Sequence, residues 1–145
     1  MEEEKHFFAK YETYVEELVT PCKVFGVDGQ SVDCEATWDT GAEDSVISQD
    51  VAKRLKLPVF SKAEMYHAGG KSTTNTHYVY IGLTSDIVIG PILVMEGNFD
   101  GNVILLGIDI IGSGDLLITN NDEHTEMAFA IPSSLKVEDV FKNIK

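Results

Sequence analysis

Ala36-Thr37-Trp38-Asp39-Thr40-Gly41-Ala42-Glu43-Asp44-Ser45-Val46-Ile47 is the stretch on which the reading of this chain turns. It opens as the end of an alternating strand. Val32, Cys34, Ala36 and Trp38 fall on one face, and Ser31, Asp33, Glu35 and Thr37 on the other. The alternation stops at Asp39. Gly41 then permits a backbone turn that a residue with a Cβ would resist, and the apolar pair Val46-Ile47 resumes the core. Asp-Thr-Gly alone also makes an ordinary turn, so its meaning depends on what surrounds it.

Upstream, Lys23 to Val27 runs into Asp28-Gly29, a two-residue turn signal, and the strand leading to Asp39 returns from it. Downstream, Ser48 to Leu57 reads as a short helix ending before Pro58. Ser48 is its N-cap, and Lys53, Arg54 and Lys56 lie toward the negative end of the dipole. Val59 to Leu83 reads as a second hairpin. Its tip is near Ala68-Gly69-Gly70-Lys71, and the polar run Lys71 to Thr76 suits an arm with no core beneath it. The Gly-Gly lacks the spacing and following helix of a phosphate-binding loop. A strand over Asp86 to Met95 is interrupted by Gly90-Pro91. After a loop comes the apolar run Val103-Ile104-Leu105-Leu106-Gly107-Ile108-Asp109-Ile110-Ile111, and closing strands are expected at 116–118 and 127–131.

The two ends read as helices. From Glu2 to Val19, Phe7/Phe8, Tyr11, Val15 and Leu18 recur at helical steps. From Leu135 to Ile144, Val137, Val140, Phe141 and Ile144 share a face. The expected organisation is an N-terminal helical segment over 1–20, a central domain over 21–132 and a helical tail over 133–145.

The 145 residues suffice for one core-bearing domain, and 43% hydrophobic with 24% charged residues is ordinary for a globular chain. A net charge of -13 argues against nucleic acid and anionic membranes as partners. No apolar run reaches membrane-spanning length, and the acidic N-terminus lacks the layout of a secretory signal, so a cytoplasmic location is expected. Cys22 and Cys34 flank the first hairpin and are expected as free thiols, near each other across it. The four histidines form no metal-ligand pair, and no metal or other cofactor is expected.

Together the Asp39 loop, the Gly-tipped hairpin and the later Leu105-Leu106-Gly107 resemble the retropepsin-like (retroviral-type) aspartic proteases. The resemblance runs from the hairpin before Asp39 to the strands after Gly107. It implies a mainly β fold, a closed barrel with a flap hairpin and short helices. It implies that Asp39 is catalytic and that Thr40, Gly41 and Ala42 support its loop. Leu105, Leu106 and Gly107 would pack beneath that loop. The hairpin would be the flap, with Gly69 and Gly70 at its tip. Glu43 and Asp44 would bind substrate backbone or face solvent.

The chain departs from the viral pattern in two places. Viral members commonly carry Arg directly after the downstream Gly, where this chain has Ile108 followed by Asp109. That places it nearer the cellular and bacterial relatives. Relatives with Ser at the place of Ala42 have a hydroxyl that favours an ionised dyad. Without it, activity should extend to less acidic pH.

Hydrolysis by this chemistry needs two adjacent carboxylates sharing one proton, and the chain has a single Asp-Thr-Gly. The second carboxylate must come from another copy across a two-fold axis, so the expected species is a homodimeric endopeptidase acting on peptides. The alternative is a catalytically silent dimerisation or peptide-binding module on the same fold. A metal hydrolase using Glu43, Asp44 and a histidine fits poorly, because no histidine lies at ligand spacing from them.

Overall fold

A computed structural model describes residues 3–142. Strands dominate: β1 (Lys5–Lys10), β2 (Val19–Phe25), β3 (Ser31–Trp38), β4 (Val46–Ser48), β5 (Ser61–His67), β6 (Gly70–Gly82), β7 (Val88–Gly97), β8 (Val103–Leu106), β9 (Asp115–Thr119) and β10 (Glu126–Ile131). The helices are short: α1 (Gln49–Arg54), α2 (Ile108–Ile111) and α3 (Val137–Val140).

Seven strands form one sheet in the order β2-β3-β8-β4-β7-β6-β5. A further pairing of β2 with β6 closes six of them into a barrel and leaves β5 outside it. Closure removes the open edges that such a sheet would otherwise expose. The barrel interior holds Val24, Ala36, Ile47, Val79, Ile81, Ile104 and Leu106, all fully buried. These residues come from alternate positions on their strands, which is the pleat expressed as a core. The inward face Val32, Cys34, Ala36 and Trp38 is as the alternation implies. The β2–β3 connection is longer than two residues. The strands end at Phe25 and restart at Ser31, with Gly29 at φ +90 and Asp28 Oδ1 accepting from the Gln30 N–H.

The N-terminal segment is a strand, not a helix. β1 pairs antiparallel with β10, which pairs with β9, making a three-stranded sheet. Phe7, Ala9 and Tyr11 turn toward the core while Phe8 is exposed, an alternation that the adjacent pair Phe7/Phe8 disguises as helical spacing. Phe7 stacks near Trp38 at 5.9 Å and Phe129 at 6.4 Å between ring centroids, and Trp38 lies 4.9 Å from Phe129. These tertiary contacts outweigh the local preference. Residues 11–18 have no regular structure. Thr125 holds them by accepting from Tyr11 N–H and Val15 N–H and donating its own N–H to Thr13 O. The N-terminal segment therefore shares the domain's core, and β2 crosses the expected boundary at residue 20.

The C-terminal helix is a single turn, α3, with Val137, Val140 and Phe141 exposed. Glu2 and Ile144, at the far ends of the two expected helices, lie outside the described residues. The tail is fastened by Asp115, whose carboxylate accepts from Ser133 Oγ at 2.5 Å, Leu135 N–H at 2.9 Å and Ser134 N–H at 2.8 Å. These bonds, the hydroxyl foremost, hold its carboxyl below the ordinary carboxylate value. A group with its folded value depressed contributes in full above its unfolded value, and the contribution fades as pH falls through the folded one. The amide resonances of Ser134 and Leu135 should therefore titrate together with the Asp115 carboxyl, below the ordinary carboxylate range. Amide shifts that stay flat through that acid range would contradict the anchor.

Candidate active site

β3 delivers the chain to Asp39 from inside the sheet. Its C-terminal end runs parallel to β8, with Thr37 opposite Leu105 and Trp38 opposite Leu106. Asp39 N–H donates to Leu106 O at 2.8 Å, extending that ladder by one bond into the loop. Asp39 Oδ1 then accepts from Gly41 N–H at 3.0 Å, and Asp39 O accepts from Ala42 N–H at 3.2 Å. The loop is a turn closed on its own aspartate. The Asp39 side chain is half-buried, while Thr40, Gly41, Glu43 and Asp44 are exposed. Among the described residues, Oδ2 of Asp39 takes no hydrogen bond, so one carboxylate oxygen is held and the other is available.

Leu106 and Gly107 lie against this loop. A Cβ on Gly107 would stand 2.8 Å from the Asp44 carbonyl carbon and 2.9 Å from both Ala42 O and Asp44 O. Only glycine lets β8 pass this close to the loop backbone. The chain then enters α2, and its first amides reach back: Ile108 N–H donates to Ala42 O at 2.8 Å and Asp109 N–H to Glu43 O at 3.2 Å.

Two residues outside the expected set complete the clamp. Ser45, fully buried, donates through Oγ to Asp109 Oδ1 at 2.7 Å and accepts from Gly107 N–H at 3.0 Å. Its own N–H donates to Asp109 Oδ2 at 2.8 Å. Asp109 thus holds the far side of the loop through a serine. The signal was in the sequence: a lone hydroxyl between the acidic pair and Val46-Ile47, and an acid two residues after Gly107. Ser45→Ala should cost about 1–2 kcal/mol, because it strands the Gly107 N–H and removes one of the two bonds to the Asp109 carboxylate. Denaturant unfolding measures this, and a change within error would show that the clamp carries no load.

The hairpin stands apart from these contacts. β5 pairs only with β6, from Ser61 opposite Thr76 to His67 opposite Gly70, while β7 pairs with β6 only from Thr76 onward. Residues 61–75 therefore project as a two-stranded arm, with Gly69 and Gly70 at its tip. Its base is fixed at Glu96: Thr74 Oγ1 donates to Glu96 O, and His77 Nε2 meets Glu96 Oε1 at 2.8 Å. His77 Nδ1 meets Pro58 O at 2.9 Å, on the other side of the ring. Among the described residues, no cluster of His, Cys, Asp or Glu is grouped to hold a metal ion, and no helix is long and apolar enough to cross a membrane.

The family model described as "gag-polyprotein putative aspartyl protease" matches residues 25–113, more than half of the chain. The chain belongs to this aspartyl protease family. The matched span runs from the first hairpin through α2, and so contains the Asp39 loop, the projecting arm and the Gly107 clamp. No curated protein matches the sequence. Among solved structures, a retropepsin-like aspartic protease from Rickettsia conorii is similar at a TM-score of 0.53 and 13% identity, over 88% of this chain and 94% of that one. The protease of EIAV, solved with the inhibitor HBY-793, is similar at a TM-score of 0.50 and 22% identity, over 67% of this chain and 86% of that one. At these identities the likeness establishes a shared fold. The family and the fold are those of retropepsin-like aspartic proteases.

Proposed function

We propose that this aspartyl protease family member is an endopeptidase whose active site forms when two copies of the chain set their Asp39 carboxylates side by side. The observation that carries this reading is the state of Asp39. Its loop is fixed from below by Gly107, Ser45 and Asp109, one carboxylate oxygen is tied to Gly41 N–H, and the other is available. The bond to Gly41 N–H is one that any turn aspartate makes, so what supports the catalytic reading is the backing of the loop by Gly107, Ser45 and Asp109.

Two such carboxylates in contact cannot both ionise cheaply, so they share a proton. The ionised member takes a proton from a water lying between them, and the water oxygen attacks the peptide carbonyl carbon. The protonated member donates to the carbonyl oxygen. Collapse of the tetrahedral intermediate returns that proton to the carboxylate pair. The leaving nitrogen takes a proton from the pair and departs as an amine. Thr40, exposed beside Asp39, would meet its counterpart across the two-fold axis. The arm over 61–75 would close on the substrate, with Gly69 and Gly70 approaching the peptide backbone and Glu43 and Asp44 binding it from the loop side. Apolar side chains flanking the scissile bond fit this reading. Ala42 offers no hydroxyl to the carboxylates, which supports activity extending toward neutral pH. The free thiols Cys22 and Cys34 fit a reducing, cytoplasmic setting.

The test is cleavage of a mixed peptide library from acid to neutral pH, with sedimentation of the same samples. A dimer with Asp39-dependent cuts supports the reading. A dimer without such cuts supports the silent module instead, and a strict monomer removes the shared site and leaves a silent peptide-binding module.

A further inference from the structure

The barrel carries a thiol pair that plays no part in the proposed chemistry. Cys22 on β2 and Cys34 on β3 are direct partners in the antiparallel register, with both side chains buried on the core face. Neither is bonded to anything covalently. The ladder around them fixes their spacing. Trp38 N–H donates to Leu18 O at one end, and Gly26 N–H to Gln30 O at the other. By alternation, Cys22 and Cys34 form a hydrogen-bonded pair, whose Cα atoms stand about 5.5 Å apart. That Cα separation lies inside the window a disulfide spans, while the Cβ atoms of a hydrogen-bonded pair, about 5.5 Å apart, must draw about 1 Å closer for the bond to form. Glu35 N–H turns the opposite way, to Asn102 O, as the alternation requires.

We propose that Cys22 and Cys34 are an oxidative modification site, closing to a reversible cross-strand disulfide when the protein meets a peroxide. The two thiols are unequal. The neighbouring sulfurs shift each other's thiols in opposite directions, Cys34 down and Cys22 up, although the Cys34 Sγ–H also donates to Val32 O at 3.7 Å, which holds its proton in place. Burial and Asp33 oppose the Cys34 thiolate, while Arg54 assists it. Each cysteine also borders a surface cavity. That beside Cys22 is about 320 Å³ and includes Pro21, Phe25 and Gly82, and that beside Cys34 is about 450 Å³ and includes Glu35 and Asn102. A small oxidant fits either.

The Cys34 thiolate attacks one peroxide oxygen and the O–O bond breaks. This gives a Cys34 sulfenic acid and a hydroxide that leaves as water after taking a proton. The Cys22 sulfur, giving up its proton, then displaces the sulfenic hydroxyl as a second water and forms the S–S bond. Two thiols are oxidised by two electrons and one peroxide is reduced to two waters. The cross-link ties β2 to β3, the strand that ends at Asp39, and so stiffens the support of the loop. It does not depend on the chain being a protease.

The experiment treats the full-length protein with hydrogen peroxide, alkylates it under denaturing conditions, and measures intact mass, peptide map and melting temperature, before and after dithiothreitol. The proposal expects loss of both alkylation sites, a peptide cross-linked through Cys22 and Cys34, and a melting temperature higher by about 5 °C. All three should reverse on reduction. In Cys22→Ser, oxidation should stop at Cys34 sulfenic acid, trapped by dimedone. Two alkylatable thiols after peroxide, bridges between chains, or oxidation of Cys22 alone would each overturn it.

Discussion

Asp39→Asn is expected to lower the rate of peptide cleavage by about 10³-fold or more while leaving the fold intact. The asparagine is isosteric, and its Oδ1 accepts from Gly41 N–H as the carboxylate does at 3.0 Å. The bond from Asp39 N–H to Leu106 O is a backbone bond and is untouched. In the proposed mechanism, what disappears is the group that exchanges protons with water and with the leaving nitrogen. An amide cannot act as a general base at these pH values, and no other carboxylate is tied into the same turn. Glu43 and Asp44 are exposed and lie beyond it. The check is a comparison of cleavage rates and circular dichroism for the two proteins. Residual activity within tenfold of wild type, with an unchanged spectrum, would remove Asp39 from the chemistry.

Gly107→Ala should be the most damaging single methyl group in the loop region. The new Cβ meets backbone atoms of Ala42 and Asp44 at 2.8–2.9 Å, and backbone cannot rotate away as a flexible side chain can. Either β8 retreats, which breaks the bond from Asp39 N–H to Leu106 O, or the loop lifts, which breaks those from Ile108 N–H and Gly107 N–H. Overpacking of this kind costs about 3 kcal/mol. The loss of activity should exceed what the loss of folded protein explains, because the loop that aims Asp39 moves even in molecules that stay folded. Denaturant unfolding and the rate per folded molecule separate the two effects. A stability change under about 0.5 kcal/mol would show that the close approach relaxes at little cost.

The parts of this fold that were legible in the sequence are those where local pattern and tertiary structure agree. Val32 to Trp38 alternates and is a half-buried strand. Asp28-Gly29 turns, Ser48 caps α1 through a bond to Val51 N–H, and the polar run over 71–75 lies in the projecting arm, with Thr76 buried at its base. The catalytic-loop resemblance was legible because it needed only residue order. The N-terminal strand was not, because Phe7/Phe8 with Tyr11 satisfies a helical period as well as a strand's. The choice is made by Phe129 and Trp38, remote in sequence, which offer Phe7 a place to pack. The short α3 follows the same logic. Its apolar residues stay exposed over a cavity shared with Phe8, Leu116 and Leu117, and Asp115 holds the segment that leads to it. Ser45 and Asp109 escaped assignment because their pairing spans the loop and α2. The lone hydroxyl and the acid after Gly107 are visible in the sequence, but nothing local says that the two meet across 64 residues.

The central claim is that one active site takes one Asp39 from each of two chains. Mixing tests it most directly: wild type and Asp39→Asn are combined in varying proportion at constant total concentration, allowed to re-equilibrate, and assayed for cleavage. If each site needs two wild-type chains, the rate follows the square of the wild-type fraction and falls to about a quarter at equal proportions. A rate proportional to the wild-type fraction, falling only to about half, would contradict the shared site and place the whole of the chemistry within a single chain.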